Sequence, residues 1–438
     1  VTSVSFAYRY TTGYSGPVGA NFSLLVGGAS VYASPLLTMY PYTKTGNYSP
    51  AQTVAAKNLA IKVTRGAERL LFHFQNNDRN LQLLLPMTIT VACSGGLNGS
   101  CTPPMPPKPT QVFTGGENVT GFNPIGDSRA YQCFRIPQLL ALPSGKVLAF
   151  AEGRADGCKP DVHTGRPIVV RSSGDGGETW GPIGIAGPAL AHSGTNYPGA
   201  FVRDSKTVAL RYETGHGVLE TTSTDEGATW SSPTNASQPT GNTTCGSMWP
   251  KMIGSAVVMP CGAGTAKSTD GGKTWLLSTG TVSNRKSVGE AMVAPDGRTA
   301  KSLTMMIRGG EPPYNHAVAR SEDLGDTWSN ASTLHLVGTT NEGSIGRDVR
   351  APAGKVFLGA TYGRNGFYLG RGNMTVFALD TTAAVPKAVA VQNMWAYAAG
   401  YSDFAQAWRD GKPGPLLMLF EAGITHYDQG IKLAVVAS

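Results

Sequence analysis

Six cysteines stand at positions 93, 101, 133, 158, 245 and 261, and their spacing restricts what they can do. No two form Cys-x-x-Cys, the arrangement that offers paired thiolates to zinc, so disulfides fit better than a metal site. Six cysteines allow fifteen connectivities. The sequence-near couples are Cys93/Cys101, Cys133/Cys158 and Cys245/Cys261. Eight Asn-x-Ser/Thr sequons point to the same compartment: Asn21, Asn47, Asn98, Asn118, Asn235, Asn242, Asn330 and Asn373. Even cysteines with so many sequons predict a protein of the secretory pathway or a secreted one. The chain opens at Val1 without a basic-then-apolar leader, which is expected of a mature or trimmed form. No apolar run approaches the roughly 20 residues of a membrane span.

Thirty-six Lys and Arg against 28 Asp and Glu leave a formal net charge of +8. Such a balance suits an anionic partner: nucleic acid, anionic lipid or an acidic sugar. There is no Lys/Arg block of the kind that marks nucleic-acid tails, so nucleic acid is not expected.

A second set of polar side chains recurs as a unit. Ser-x-Asp-x-Gly-x-Thr-Trp occurs four times, at Ser173–Trp180, Ser223–Trp230, Ser268–Trp275 and Ser321–Trp328, with starts 50, 45 and 53 residues apart. A carboxylate at this position accepts hydrogen bonds from nearby backbone N–H groups. The glycine supplies a left-handed turn position, and the tryptophan covers the turn. These aspartates are read as structural rather than catalytic. The period matches one propeller blade of four short strands.

The elements around the repeat agree. Only 15% of residues are charged, while Gly (56) and Pro (29) abound, which favours short strands and many turns over helices. No stretch sustains a 3.6-residue apolar period. Residues 94–110 are rich in Gly, Ser and Pro, as a stiff extended linker is. Before them lie alternating stretches such as VSFAYRYTT and RLLFHFQ. The expectation is an all-β protein in three parts. Residues 1–100 form a β-sandwich accessory domain, which binds carbohydrate or is purely structural; 101–110 form the linker; 111–438 form the propeller.

The octapeptides resemble the Asp boxes of sialidases. Tyr131–Pro137, YQCFRIP, is similar to that family's Phe/Tyr-Arg-Ile-Pro motif, and further matches run in family order to FEAG at Phe420–Gly423. The resemblance covers about residues 125–438. Asp boxes also occur in propellers that are not enzymes, so the Arg-Ile-Pro match and the motifs C-terminal to it carry more weight. The resemblance implies a six-bladed β-propeller and a retaining exo-α-sialidase, acting on sialylated glycans without metal or cofactor.

The same resemblance implies site residues. Three arginines grip the substrate carboxylate: Arg135 in FRIP, Arg308 in LTMMIRGG, and Arg371 in GRGNMTV with Arg364 as its alternative. Parallel charge-assisted hydrogen bonds make arginine the fitting residue for that task. Two anions would meet if a carboxylate attacked the carbon bearing this group. Sialidases are known to use tyrosine instead; here it is Tyr401 in GYSDF, with Glu290 in SVGEAMV as its base. Eighteen residues separate Glu290 from Arg308, which suits adjacent strands of one blade. The proton donor lies in EGRADGCKPDVHTGRP as Asp156 or Asp161, and counting back from the Asp box favours Asp161. Arg154 resembles an additional substrate-contacting arginine, and Glu421 a glutamate that orients Arg135. A Cys133–Cys158 disulfide would tie the acid loop to the first arginine strand. The rival readings are a Kdn-preferring hydrolase, a trans-sialidase, and an inactive sialic-acid-binding lectin.

Overall fold

The computed structural model describes strand backbone within residues 3–90 and, with side chains, residues 109–436, apart from 159–165, 190–194 and the side chains of 195–196, 240–244, 247–248, 310–314, 335, 337–340, 362–370 and 384–385. The chain divides into two compact units, Val1–Pro103 and Pro104–Ser438. The division falls within the proline-rich stretch. In the first unit, Ser3–Tyr10 runs antiparallel between Gln52–Lys57 and Leu81–Thr90. A second sheet has Gly19–Val26 paired with Leu70–Asn76 on one side and with Ala29–Ala33 and Leu37–Thr38 on the other.

The second unit is a propeller-like ring of antiparallel sheets. Four of them have four strands each, starting from Cys133–Ala141, Thr195–Val202, Lys251–Ile253 and Ala291–Pro295. A seven-stranded sheet comes next, from Ser344–Gly346 to Gly430–Val435, and Thr110–Thr114 pairs onto its last strand. Within it the long strand Ala388–Arg409 pairs with Gly372–Asp380 through residues 388–398 and with Lys412–Ala422 through residues 399–409. The apolar clusters lie between successive sheets. One joins Phe150 to Leu210 and Trp230; another joins Val258 to Val293 and Met305; a third joins Leu139 and Ala149 to Leu417 and Leu433, bringing the last sheet against the first. The seven-stranded sheet also packs against itself, Phe357 and Val376 meeting Phe404 and Met418.

The repeated octapeptide makes a tight turn between the third and fourth strands of each four-stranded sheet. In the first copy the Asp175 carboxylate accepts the Thr179 N–H at 3.0 Å, and Ser173 Oγ accepts the Gly177 N–H at 2.8 Å. The other three copies repeat these bonds. The glycines have φ between 83° and 97°, the left-handed region that a side chain disfavours. The tryptophans do more than cover their turns. Trp230 stacks edge-on against Phe150 of the preceding sheet, and Trp275 against Phe201. Each box thus wedges its sheet onto its neighbour.

Strand register separates the two faces of the ring. In the first sheet Arg135 lies opposite Glu152, while Ser173, where the Asp box begins, lies opposite Val147 at the other end of the same strand. The boxes therefore sit at the strand ends remote from Arg135. At the Arg135 end the innermost strands are bent. Ile136, Tyr197 and Trp249 have φ of 55°, 49° and 42°, each just before a proline. Left-handed backbone is uncommon without glycine, and a proline next in the chain restricts it further. The pairing slips at this point in the first two sheets, between Arg135 and Gln138 and between Asn196 and Gly199. A third slip, between Ala399 and Ser402, brackets Tyr401. Bulges re-aim side chains, and these lie where the ring's polar residues gather.

Candidate active site

Glu290 immediately precedes the strand Ala291–Pro295, and Arg308 comes immediately after its partner Leu303–Ile307. The Arg308 N–H donates to the Glu290 carbonyl at 3.2 Å, so the two side chains leave adjacent strands at one level. Tyr401 reaches them from the far side of the ring. Its hydroxyl lies 2.6 Å from both carboxylate oxygens of Glu290, and Arg308 donates to it at 2.9 Å. Arg308 also pairs with Glu290 Oε2. Burial, and next the Glu290 charge, push the Tyr401 hydroxyl well above its ordinary pKa, so it stays protonated until a base takes the proton. Glu290 is the base within reach.

Glu421 organises the neighbouring corner. It is fully buried and accepts the Arg135 Nε–H at 2.7 Å, the Ile136 N–H at 2.9 Å and the Tyr401 N–H at 3.0 Å. One carboxylate thereby fixes the first arginine and the backbone of the tyrosine. Burial works against the Arg135 charge, but Glu421 outweighs it and the guanidinium is held firmly charged. Arg135 and Arg371 both flank the rings of Tyr401 and Tyr427, at 4.8–5.5 Å from the ring centroids. Arg371 is buried, and its Nε has no hydrogen-bond partner among the described residues.

Glu342 also belongs to this centre. It is buried, its Oε1 accepts the Ser402 N–H at 3.3 Å, and its Oε2 has no partner among the described residues. Burial, then the charges of Glu290 and Glu421, raise its pKa well above the usual range. Arg135, Arg308 and Arg371 thus share one centre with Glu290, Glu342 and Glu421, and guanidinium groups of this number suit an anionic ligand.

Five of the residues expected from the sequence thus gather with Arg371: Arg135, Glu290, Arg308, Tyr401 and Glu421. Arg154 is placed differently. It lies at the same end of the first sheet, but its guanidinium is buried and bonded to Glu152 Oε2 at 2.6 Å and to the Cys158 carbonyl at 3.1 Å. It braces the loop after its strand. Cys158 of that loop is disulfide-bonded to Cys133, and Cys245 to Cys261. Asp156 is paired with the buried Arg166 at 2.9 Å. Burial raises its pKa, yet the Arg166 pair holds it below the usual range. Asp161, Arg364 and the Cys93/Cys101 couple lie outside the described residues. The sequence reading missed Tyr197, Trp249, Glu342 and Tyr427. A signal existed for two of them: Tyr-Pro and Trp-Pro repeat the Ile-Pro step in the innermost strands of the next two sheets.

No family model matches the sequence. A sialidase of Paraclostridium sordellii is 25% identical over 228 residues, 49% of this chain and 50% of that protein. This chain is similar to sialidases. The match spans about half the length of that curated relative. Among solved structures, the intramolecular trans-sialidase of Ruminococcus gnavus, in complex with oseltamivir carboxylate, superposes with a TM-score of 0.55 at 16% identity, over 71% of this chain and 95% of its own. The sialidase NanB of Streptococcus pneumoniae superposes with a TM-score of 0.59 at 12% identity, over 100% of this chain and 95% of its own. At these identities the structures show a shared fold.

Proposed function

We propose that the protein is a retaining exo-α-sialidase that releases terminal sialic-acid-type residues from glycoconjugates through a covalent tyrosyl intermediate. The observation that carries this reading is the Tyr401 hydroxyl 2.6 Å from the Glu290 carboxylate, with Arg308 donating to it and Arg135 and Arg371 beside its ring. A sugar bearing a carboxylate on its anomeric carbon fits three neighbouring arginines, whose guanidinium groups can offer it parallel charge-assisted hydrogen bonds. A neutral nucleophile avoids bringing a second anion to the same carbon.

In the first step Glu290 takes the Tyr401 proton as the phenolic oxygen attacks the anomeric carbon. The glycosidic C–O bond breaks, and the leaving oxygen takes a proton from an acid, for which Asp161 is our assignment. In the second step water attacks the anomeric carbon and gives its proton to Asp161. The bond to Tyr401 breaks, and Glu290 returns the proton to the phenolate. Two inversions give net retention.

Two further assignments belong to this reading. The propeller has six blades, with Ala388–Arg409 serving as a strand of the fifth through residues 388–398 and of the sixth through 399–409. Support comes from its two sets of partners and from the core between the two halves of the sheet. The residues 1–100 form a β-sandwich, and the protein passes through the secretory pathway, for which the two disulfides and the sequons speak. The test of function is hydrolysis of fluorogenic N-acetylneuraminic acid, N-glycolylneuraminic acid and Kdn glycosides, with NMR of the first-formed sugar. We expect the α-anomer first. A β-anomer, or no turnover of any of the three, overturns the proposal. A 2,7-anhydro sugar or transfer to added lactose as the main product would make it a trans-sialidase.

A further inference from the structure

Tyr401 is not the only phenol on the base. The Tyr197 hydroxyl donates to Glu290 Oε1 at 3.2 Å from the innermost strand of the second sheet. Its placement is costly and specific. The residue is held at φ 49° ahead of Pro198, in the bulge that breaks the pairing between Asn196 and Gly199. Strained backbone of this kind persists only where its surroundings over-determine it. Here they do. The Tyr197 N–H donates to Glu152 Oε1 at 3.3 Å, and its ring packs edge-on against Trp249, centroids 6.1 Å apart. Trp249 in turn packs against the Tyr401 ring at 6.3 Å. Nucleophile and second phenol thus pack against one indole, and both reach the Glu290 carboxylate.

We propose that Tyr197 is a positioning residue that holds the Glu290 carboxylate toward Tyr401 through both chemical steps; this rests on the sialidase reading above. When Tyr401 is bonded to the sugar, it no longer donates to Glu290. The protonated Glu290 must still present that proton to the same oxygen for its return. Among the described residues, Tyr197 on Oε1 and Arg308 on Oε2 then keep the carboxyl from rotating away. Tyr197 itself forms no bond to substrate and transfers no proton.

The test is Tyr197→Phe in the full chain, which removes one oxygen and keeps the ring against Trp249. Rates are normalised to molecules titrated by a covalent 2,3-difluoro sialic acid, so that a misfolded fraction does not count. A hydrogen bond to a charged group is worth enough for a fall in kcat of about tenfold. Affinity for a non-hydrolysed 2,3-unsaturated sialic acid should stay within about twofold. Among the described residues, the groups facing Glu290 are Tyr401, Arg308, Tyr197 and, at longer range, Glu342. Removing a donor to the carboxylate moves the acid-side limb of the kcat profile to higher pH. A variant with unchanged kcat and an unchanged limb overturns the role of Tyr197, as does equal loss of kcat and inhibitor affinity. A folded wild-type chain that cleaves no sialoside overturns instead the reading beneath it.

Discussion

Glu421→Gln keeps the size of the side chain and removes its charge, and its cost can be worked from the contacts. The carboxylate receives three donors, from Arg135 Nε, Ile136 N and Tyr401 N, at 2.7, 2.9 and 3.0 Å. An amide has one acceptor oxygen, so its NH2 must face at least one of those N–H groups. The Arg135 side chain is only 6% exposed, and it loses its counter-charge there. Breaking a buried pair by removing one partner typically costs about 3–5 kcal/mol. The shape is retained, so we expect the lower end, about 3 kcal/mol, or roughly a hundredfold in the folding equilibrium. Activity should fall further than stability implies, because Arg135 and Tyr401 both lose their anchor. A displacement of about 1 Å at a reacting group costs on the order of a hundredfold. The assay pairs urea unfolding, monitored by tryptophan fluorescence, with sialoside hydrolysis under folding conditions. A variant that loses less than about 1 kcal/mol and keeps its activity within threefold would refute the claim that Glu421 couples the first arginine to the nucleophile.

The geometry sets three further outcomes. Gly400→Ala would place a Cβ 2.1 Å from Glu421 Oε2 and 3.2 Å from the Tyr427 ring, so hydrolysis should drop at least tenfold while far-UV circular dichroism is kept. Asp161→Asn should slow cleavage of a natural sugar aglycone by about a hundredfold or more, yet barely affect an activated aryl sialoside, whose leaving group needs little protonation; parallel assays of the two substrates check it. His316 is fully buried, and burial, aided by Arg308, lowers its pKa to about 4 from 6.5. The unfolded chain binds that proton first as pH falls, so this group alone should lower stability by about 3 kcal/mol between pH 7 and pH 4, and His316→Leu should remove that contribution from the slope in urea titrations across that range.

Much of the site was legible because its residues lie beside regular strands. Eighteen residues between Glu290 and Arg308 is one hairpin, and the hairpin puts both at one level. The Asp boxes were legible as turns because each bond within them is local. What could not be read was whatever depends on the ring. Trp230 and Trp275 reach into the preceding sheet, and no spacing along the chain announces that. The bonds of Arg154 to Glu152 and to the Cys158 carbonyl could not be read from spacing along the chain. Glu342 carries no motif; its raised pKa comes from burial and from two other carboxylates contributed by distant parts of the chain. Tyr197 is the instructive case. The step before proline was visible in the sequence, but only the bulge reveals that it aims a phenol at Glu290.

The most direct test of the account is the site of the covalent bond. The full chain is incubated with 2,3-difluoro sialic acid, digested with protease, and the modified peptide sequenced by mass spectrometry. The account predicts one adduct, on the hydroxyl of Tyr401, absent from Tyr401→Phe and formed far more slowly in Glu290→Gln. An adduct on another residue, on Tyr197 or a carboxylate, would contradict it, as would full hydrolytic activity in Tyr401→Phe.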